Sequence, residues 1–303
     1  MAKARTLSDV AGRLGLSVAT VSRALADHEQ IAPATRERVA RAAREMGYVP
    51  NRAARALVSG RSGFVGFVLP LRGPGLADQF LGQFLSALAE GVAGRGLDLL
   101  ISAVPRGKSE LRQLDSLATS AGVDGLVLGR IETADARVAL LQKLGLPFVT
   151  HGRLLDSEEG YTWLDTDGAA AFAEAFAMLH ALGHRRFGFL TIDEPMTFAR
   201  LREGGLRAAI ARCADPEVSL RTLAAPRHDA PARAAAVAAM LAGPDRPTAV
   251  LALFDGLAMD LLAEAGRAGL SVPDDLSVIG FDNVPAAAYA PPGLTTFDAR
   301  IED

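Results

Sequence analysis

From Ser62 onward, the sequence alternates between short apolar runs and longer amphipathic segments. The runs GFVGFVLP, LDLLISAV, DGLVLGR and PFVTHGR are typical of buried strands, and helices are predicted between them over residues 79–94, 110–121 and 134–144. Strands that alternate with helices in this way form a parallel sheet that the helices cover. The pattern therefore predicts an α/β lobe over about residues 62–158.

A second unit repeats the pattern over about residues 159–293. Its predicted strands are YTWLD, RRFGFLT, residues 219–224, TAVLALF and LSVIGFD, and its predicted helices cover residues 168–182, 198–211, 230–242 and 257–268. The two units together predict two doubly wound α/β lobes. Parallel sheets bind ligands outside the carboxyl ends of their strands. We therefore expect a cleft between the lobes that is lined by the residues that follow the strands, among them Arg130, His151, Arg153, Asp255 and Asp282.

Residues 6–25 lie before the lobes and predict two short helices around a tight turn. Thr6 and Asp9 match a capping box, which satisfies amide donors at the start of a helix. Gly15 can end that helix in the left-handed conformation, and Ser17 is a good N-cap for the next helix. This spacing favours a helix-turn-helix, with a plain helical hairpin packed into a core as the alternative.

The second of these helices would bury one face and leave the other free to enter a DNA groove. The residues spaced to face outward are Val18, Ala19, Ser22 and Arg23. Arg23 is long enough for a bidentate contact with guanine, and Val18 and Ala19 can meet thymine methyl groups. Hydroxyl groups that suit phosphate oxygens are carried by Ser17, Thr20 and Ser22.

A third helix is predicted to begin at Pro33, which suits the first helical position, and to end near Gly47. Ala32 before it lacks the hydroxyl group of a good N-cap, which should cost roughly 1 kcal/mol unless Pro33 offsets it. The three helices together predict an all-α headpiece over residues 1–49.

Residues 50–61 are predicted to form a hinge helix, which Asn51 can cap and Gly60 can end. So short a helix is marginal alone in water, and it should therefore order only against a partner. Its small apolar residues suit packing against a second copy of the chain, and Leu57 is placed to wedge between base steps. An ordinary interdomain linker helix is the alternative.

Charge is divided unevenly along the chain. Residues 1–60 hold ten lysines and arginines against five aspartates and glutamates, although the whole chain has a net charge of -3. A local excess of positive charge attracts phosphates in a salt-dependent manner. The basic end of the chain therefore favours double-stranded DNA as a partner.

Several other classes of protein are disfavoured. The chain has no apolar run of about 18 residues that could span a bilayer and no apolar signal region, so we expect a cytoplasmic protein without a membrane partner. Cys213 is the single cysteine, which excludes a disulfide framework and a Cys-rich zinc module. His180 and His184 are four residues apart, but Gly183 lies between them and the HExxH pattern is missing. With no GxxxxGK loop and no nucleophile motif, we expect neither an enzyme nor a cofactor or metal site.

Recognisable stretches occur along the whole chain: TLSDVAGRLGLSVATVSRAL, GYVPNRAARAL, ALGHRRFGFL, ARLREGGLRAAI, SVIGFDN and PPGLTTF. Together they resemble the LacI/GalR-type transcriptional regulators. The resemblance implies a homodimer that binds a pseudo-palindromic operator, with effector lobes like those of periplasmic sugar-binding proteins. It implies a repressor of carbohydrate-use genes under the control of a sugar-like effector. The alternatives are a sugar-binding component of transport and a corepressor-dependent regulator with a non-sugar ligand.

The resemblance also implies roles for single residues. Base reading falls to Val18, Ala19 and Arg23, and the remaining DNA contacts fall to Thr6, Ser17, Thr20, Ser22 and Asn51, with Ala54 and Leu57 in a minor-groove hinge helix. Arg200 and Asp255 occupy positions where the family holds polar groups of the effector, and Trp163 can stack on a sugar face. The alternatives are a surface charge at a helix start for Arg200, a helix N-cap for Asp255 and a plain core residue for Trp163. The expected effector set is His151, Arg153, Trp163, Asp165, Arg200, Asp255 and Asp282.

Two departures from the family pattern stand out. His151 and Arg153 follow the strand PFVT where the family often has an acidic residue before the arginine, so part of the hydrogen-bonding shell around the ligand differs. Family members also continue beyond PPGLTTF and return to the first lobe. We therefore expect the first lobe to include a C-terminal return, and this chain, which ends at Asp303, to lack a helix that covers that lobe.

Overall fold

The computed structural model describes residues 5–49, 60–71, 79–120, 122–156 and 160–302. The chain divides into two compact units, Met1–Ser62 and Gly63–Asp303. Within the described ranges, no helix is long and apolar enough to cross a membrane. The predicted hinge remains a prediction, because residues 50–59 lie outside the described residues.

The first unit is a bundle of three helices, α1 (Leu7–Leu14), α2 (Val18–Leu25) and α3 (Pro33–Glu45). Residues on the inner faces of the helices form its core: Val10, Ala11, Val21, Ala24, Val39 and Ala43. The predicted capping box is confirmed, because the Asp9 amide donates to Thr6 Oγ1 at 3.3 Å and the Thr6 amide donates to Asp9 Oδ2 at 2.8 Å. Gly15 ends α1 with a φ of 64°, as the tight turn requires.

The first lobe alternates strands with helices. Its elements are β1 (Phe64–Pro70), α4 (Gln79–Ala93), β2 (Asp98–Val104), α5 (Glu110–Thr119), β3 (Gly125–Leu128), α6 (Ala136–Leu144), β4 (Phe148–His151) and β5 (Thr162–Leu164). The sheet is wholly parallel in the order β2-β1-β3-β4-β5. Gly66 on β1 allows close packing, since a Cβ there would stand 2.7 Å from Leu126 Cδ2.

The second lobe has the same construction. Its elements are α7 (Gly168–Ala181), β6 (Arg186–Thr191), α8 (Thr197–Cys213), β7 (Ser219–Ala224), α9 (Ala230–Leu241), β8 (Ala249–Ala252), α10 (Asp255–Arg267), β9 (Ser277–Asp282), a 3-10 helix (Pro285–Tyr289) and β10 (Thr295–Asp298). Its parallel sheet has the order β10-β9-β8-β6-β7. Two α/β lobes after an all-α headpiece confirm the predicted fold class.

The predicted division between the lobes is wrong at both ends. The YTWLD strand was expected to open the second lobe, but Trp163 pairs with Thr150, so β5 forms the edge of the first sheet. Residues after 293 were expected to return to the first lobe, but β10 pairs with β9, and Ala299 packs into the core of the second lobe. Apolar runs predict strands but not the sheet that each strand joins, because pairing partners are distant in sequence.

The start of α3 gives a direct test of helix capping. Ala32 has an extended backbone (ψ of 138°) at the N-cap position but makes no side-chain hydrogen bond. We expect Ala32→Ser to stabilise α3 by about 1 kcal/mol, because its hydroxyl can accept a hydrogen bond from an amide of the first turn. Hydrogen–deuterium exchange of the α3 amides in the full chain would measure the gain.

The matched control is Ala34→Ser, which adds the same hydroxyl to an exposed position inside the first turn of α3. It should leave exchange unchanged or slightly faster, since serine inside a helix competes with the backbone for hydrogen bonds. Equal protection in both variants would contradict the capping explanation.

Candidate functional site

The outer face of α2 carries the residues that the sequence predicts to read DNA. Val18 is 46% exposed, and Ala19, Ser22 and Arg23 are also exposed. Val21 and Ala24 on the opposite face are buried in the headpiece core. Local packing alone therefore orients the predicted reading face outward.

Hydroxyl groups fix the start of each of the first two helices. Ser17 Oγ accepts from the Thr20 amide at 3.0 Å and lies 2.8 Å from Thr20 Oγ1. Thr6 Oγ1 lies 3.0 Å from Asp9 Oδ2 in the capping box. These hydroxyls thus cap helices, and any contact with phosphate would add to that role.

The headpiece carries several arginines, but two of them are already held in ion pairs within it. Arg36 binds the Asp27 carboxylate and the Asp27 carbonyl, which fixes the loop after α2, and Arg13 pairs with Glu45 at 2.9 Å. The exposed arginines that make no ion pair within the described headpiece are Arg5, Arg23, Arg38, Arg41 and Arg44. The predicted contacts of Asn51, Ala54 and Leu57 lie outside the described residues.

A cavity of about 420 Å³ lies between the two lobes, where the carboxyl ends of both sheets meet. That volume is in the range of small-molecule sites. The first lobe contributes Phe80, Arg130, His151 and Asp165, which directly follows β5, and the second lobe contributes Phe198, Arg202, Phe254 and Asp282. Aromatic walls with a few charged groups are typical of a site that orients a polar ligand.

Arg202 on α8 is the most buried charge in this cavity. Its Nη1 donates to the Leu253 carbonyl, its Nη2 lies 4.0 Å from Asp282 Oδ1, and its guanidinium lies 3.6 Å from the centre of the Phe281 ring. Burial lowers the pKa of Arg202 to about 10, so it stays protonated at neutral pH. Its Nε is buried and has no hydrogen-bond partner among the described residues.

His151 and Asp165 face the same end of the cavity. The His151 ring lies 5.1 Å from the Phe84 ring and 5.9 Å from the Phe80 ring. Burial and the nearby charge of Arg202 lower the pKa of His151, which keeps the imidazole neutral, with one nitrogen to donate and one to accept. Burial raises the pKa of Asp165.

The loop that follows β3 is held by a charged network. Arg137 donates to the carbonyls of Gly129 at 3.2 Å and Arg130 at 2.8 Å, and it pairs with Asp135 at 2.6 Å and Glu110 at 2.8 Å. These bonds hold Arg130 in a left-handed backbone conformation with a φ of 53°. A non-glycine residue rarely adopts this conformation unless its surroundings impose it, so the cavity wall is built on a rigid loop.

Comparison with known proteins places this geometry in a family. A model of bacterial regulatory proteins of the lacI family matches residues 6–51, and a model of the periplasmic binding protein-like domain matches residues 176–303. The HTH-type transcriptional regulator AglR of Rhizobium meliloti (strain 1021) is 34% identical over 280 residues, which cover 92% of this chain and 78% of AglR. The chain belongs to the lacI family. It is a DNA-binding transcriptional regulator, in a class of proteins without enzymatic activity.

Solved structures of lacI-family regulators share the fold. The Lac repressor dimer bound to operator and the anti-inducer ONPF has a TM-score of 0.83 at 25% identity, over 99% of this chain and 89% of that chain. The complex of the transcriptional regulator CelR with cellobiose has a TM-score of 0.69 at 27% identity, over 98% of this chain and 89% of that chain.

Four expected effector residues of this lacI-family chain lie outside the cavity lining: Arg153, Trp163, Arg200 and Asp255. Arg200 is exposed and lines a shallow concavity between α7 and α8, outside the cleft. Each residue turns a helix by about 100°, so Arg202, two positions on, points to the opposite side and into the cavity. Ala199 and Leu206 on α8 are buried, and they lie three residues before and four residues after Arg202. This helical spacing of apolar residues could have identified Arg202 as an inward-facing position.

Asp255 is the second correction. It is 0% exposed, accepts from the Val284 amide at 2.9 Å and from the Thr296 hydroxyl at 2.6 Å, and does not line the cavity. Its carboxylate therefore fixes the loop after β9 against β10. That loop holds Asp282 with a φ of 116° and Asn283 with a φ of 51°, so Asp255 positions Asp282 rather than a ligand.

Trp163 and Arg153 are close to Asp165 but outside the cavity lining. The Arg153 guanidinium lies 5.2 Å from the centre of the Trp163 ring, and Arg153 Nε lies 3.8 Å from Asp165 Oδ2. The aromatic rings that line the cavity are phenylalanines that the sequence pattern did not single out: Phe80, Phe198, Phe254 and Phe281. Of the predicted effector set, the structure brings together His151, Asp165 and Asp282, and it adds Arg202 to them.

Hydrogen bonds join the two lobes next to the cavity. The Ile131 carbonyl accepts from the Thr197 amide at 2.9 Å, and the Thr133 amide donates to the Pro195 carbonyl at 2.8 Å. Elsewhere, Gln79 Oε1 accepts from the Ala286 amide at 3.2 Å. Ile131, Thr197 and Gln79 also line the cavity, so a ligand there would lie next to both sets of interlobe hydrogen bonds.

The lowered pKa of His151 predicts a loss of stability in mild acid. As the pH falls below the ordinary histidine value of 6.5, the unfolded chain takes up a proton more readily than the folded one, so unfolding becomes easier. We expect the melting temperature of the wild type to fall as the pH is lowered from 7 to 5, and that of His151→Gln to fall less. Thermal unfolding of both proteins in matched buffers would measure the difference.

The pKa of His184 is lowered in the same direction by burial, so part of the wild-type loss should remain in that variant. His28→Gln, at an exposed headpiece position, is the control and should melt like the wild type at both pH values. An identical pH dependence in His151→Gln and His28→Gln would contradict the role given to His151.

Proposed function

We propose that this chain represses carbohydrate-use genes as a cytoplasmic homodimer, whose affinity for a pseudo-palindromic operator is controlled by a sugar-like effector bound between the lobes. The observation that carries the proposal is the buried guanidinium of Arg202 beside Asp282 in the lining of an aromatic-walled cavity. A guanidinium and a carboxylate side by side can donate hydrogen bonds to, and accept them from, the hydroxyl groups of one ligand.

The chemistry of the cavity suits a polyol. Each sugar hydroxyl can donate one hydrogen bond and accept others, so it needs donors and acceptors side by side. Arg202 supplies donors, Asp165 and Asp282 supply acceptors, and neutral His151 supplies one of each. The phenylalanine rings offer flat apolar surfaces to the C–H faces of a sugar ring. CelR, whose structure contains cellobiose, supports the same class of ligand.

On the DNA side, we propose that α2 enters the major groove with Val18, Ala19 and Arg23 at base edges. Ser22 and the helix caps Thr6, Ser17 and Thr20 would meet phosphates, and Asn51, Ala54 and Leu57 would act in the hinge. The Lac repressor, solved as a dimer on its operator, supports this arrangement of two headpieces.

Effector binding would act on the contacts between the lobes. A ligand that bridges His151 and Arg202 changes the balance of the interlobe bonds at Thr197 and Gln79, which also line the cavity. In the proposed dimer, a changed lobe angle disfavours the paired hinges and lowers DNA affinity. Couplings of this kind are typically about 1 to 3 kcal/mol.

Arg23 should carry much of the base discrimination, since Val18 and Ala19 can make only apolar contacts. We expect Arg23→Met to relax specificity by about 1 to 3 kcal/mol at one base pair of each half-site. Competition binding with single-base variants of an operator selected from random DNA would measure this change.

Arg38→Met on the outer face of α3 is the control. Arg38 is expected to contact phosphate, so its loss should weaken binding to all DNA sequences alike. It should also reduce the slope of log affinity against log salt concentration by about 1. Uniform weakening by Arg23→Met, with no change in preference at any base pair, would show that Arg23 contacts phosphate and does not read a base.

Arg202 and Arg200 lie on the same helix, but Arg202 lines the cavity and Arg200 does not. Variants at these two positions therefore distinguish a loss of the effector response from a folding defect. We expect Arg202→Met to keep operator binding but to lose the response to sugar, because the headpiece that binds DNA belongs to a separate compact unit. Arg200→Met should keep both. Electrophoretic mobility shift with and without sugar would measure the response, and thermal unfolding would check the fold of each variant.

Loss of the response in Arg200→Met, together with a normal response in Arg202→Met, would contradict this placement of the site. A normal response in both variants would remove the two arginines from the effector site altogether.

A further inference from the structure

A short loop of the first lobe pairs with the start of α8 in the second lobe, next to the cavity. Residues 131–133 and residues 195–197 lie antiparallel, with Glu132 opposite Met196. These two segments are here called the interlobe ribbon. The lobes are therefore joined by paired backbone at this place, in addition to the stretch of chain that leads from β5 to α7.

The interlobe ribbon is buried and forms part of the cavity wall. The Ile131 carbonyl accepts from both the amide and the hydroxyl of Thr197, at 2.9 and 3.1 Å. The Thr133 amide donates to the Pro195 carbonyl at 2.8 Å. Ile131 and Thr197 are each 1% exposed, and both line the cavity. Because the ribbon joins a wall from each lobe, it fixes the spacing of the two walls there.

Arg137 holds the first-lobe half of the ribbon from outside the cavity. Its Nε and Nη2 donate to the two carboxylate oxygens of Asp135 at 2.9 and 2.6 Å, and its Nη1 donates to Glu110 Oε1 at 2.8 Å. Its Nη2 also donates to the carbonyls of Gly129 and Arg130. One guanidinium thus binds the chain just before the ribbon and just after it.

Asp135 connects Arg137 to the ribbon itself. Its Oδ2 accepts from the Glu132 amide at 3.1 Å. Burial by itself would raise the pKa of Asp135, but the hydrogen bonds and the positive charge of Arg137 lower it, so the carboxylate stays ionised. The side chains of Arg137, Asp135 and Glu110 are only 12%, 2% and 11% exposed. Removing one partner from such a group leaves a buried charge unpaired, so the loop depends on all three.

The position requires the planar guanidinium of an arginine. A guanidinium can bind both oxygens of one carboxylate and still donate in other directions, whereas the ammonium group of lysine is a point charge. The loop would not keep this shape by itself, because Arg130 lies in the left-handed region with a φ of 53°. A lysine at position 137 should therefore let the loop relax and move the Ile131 carbonyl away from Thr197.

We infer that Arg137 is a positioning residue for the effector response, which sets effector affinity by holding the interlobe ribbon. It does not line the cavity and does not touch the ligand. A ligand that contacts both lobes needs their walls at one spacing, and the ribbon fixes that spacing. This inference rests on the proposed sugar response and adds to it a residue outside the site.

Calorimetric titration of the full chain with sugars tests the inference. The probes are glucose, galactose, fructose, maltose, cellobiose, trehalose, melibiose and sucrose, and the variants are compared with the sugar that the wild type binds most tightly. We expect Arg137→Lys to weaken that binding by about tenfold, the effect of one hydrogen bond to a charged group. Operator affinity without sugar should change by less than about twofold, because the headpiece is a separate compact unit.

A second variant tests the same contact should Arg137→Lys not fold. Asp135 is the N-cap of α6, and asparagine is an equally good N-cap. Asp135→Asn therefore keeps the start of the helix and removes only the charge that Arg137 binds. It should weaken sugar binding in the same direction.

A double-mutant cycle distinguishes this role from general stability. Thr197→Val removes the hydroxyl bond of the ribbon, so Arg137→Lys should cost less sugar affinity in that background than in the wild type. In Thr197→Ser, which keeps the hydroxyl, Arg137→Lys should have its full effect. A residue that only stabilises the fold would have the same effect in every background.

Arg185→Lys is the matched control. Arg185 also binds one carboxylate and two carbonyls, since its Nε lies 2.7 Å from Asp215 Oδ2 and its Nη1 donates to the carbonyls of His180 and His184. It precedes β6 and does not line the cavity. The control should lower the melting temperature and leave sugar affinity unchanged.

Unchanged sugar affinity in the folded Arg137 and Asp135 variants would overturn the inference and leave the proposed function intact. Equal losses of affinity in Arg137→Lys and Arg185→Lys would also overturn it, as would an equal effect of Arg137→Lys with and without the Thr197 hydroxyl. Binding of no sugar by the wild type would overturn the proposed sugar response itself, and the role of Arg137 with it.

Discussion

The buried guanidinium of Arg202 is the interaction on which the ligand cavity depends. A charge inside a protein is tolerated only where other groups replace the lost water. Here the Leu253 carbonyl, the Asp282 carboxylate and the Phe281 ring replace it, and Gly168 leaves room for the side chain, since a Cβ there would stand 2.8 Å from Arg202 Cγ. Because these groups come from β8, β9, α7 and α8, one cation ties the strand ends of the second lobe to the site.

The headpiece depends on a different kind of interaction, because its reading face is set by local caps. Ser17 begins α2, Gly15 ends α1, and both features lie within a few residues of the side chains that they orient. A ligand in the lobes therefore has no need to reshape α2. In the proposed mechanism, the ligand acts through the lobe contacts around Thr197 and Gln79. It changes the relative placement of the two headpieces of the dimer and leaves the fold of each headpiece unchanged.

These two kinds of interaction explain how much the sequence could predict. The capping box at Thr6 and the exposed face of α2 depend on neighbours in sequence, and both predictions were confirmed. Asp255 was misassigned because its partners, Val284 and Thr296, are 29 and 41 residues away, and no local pattern indicates such bonds. Arg200 was misassigned because two residues turn a helix slightly more than halfway round, and only the spacing of the buried residues Ala199 and Leu206 shows that position 202 faces inward.

We propose that a sugar between the lobes bonds to the guanidinium of Arg202 and to the carboxylate of Asp282. A crystal structure of the full chain with the tightest-binding sugar tests this placement. We predict a sugar oxygen within hydrogen-bond distance of an Nη atom of Arg202, with Asp282 bonded to the same sugar ring. A sugar bound outside the interlobe cavity, or bound in it without a hydrogen bond to Arg202, would contradict the proposed site.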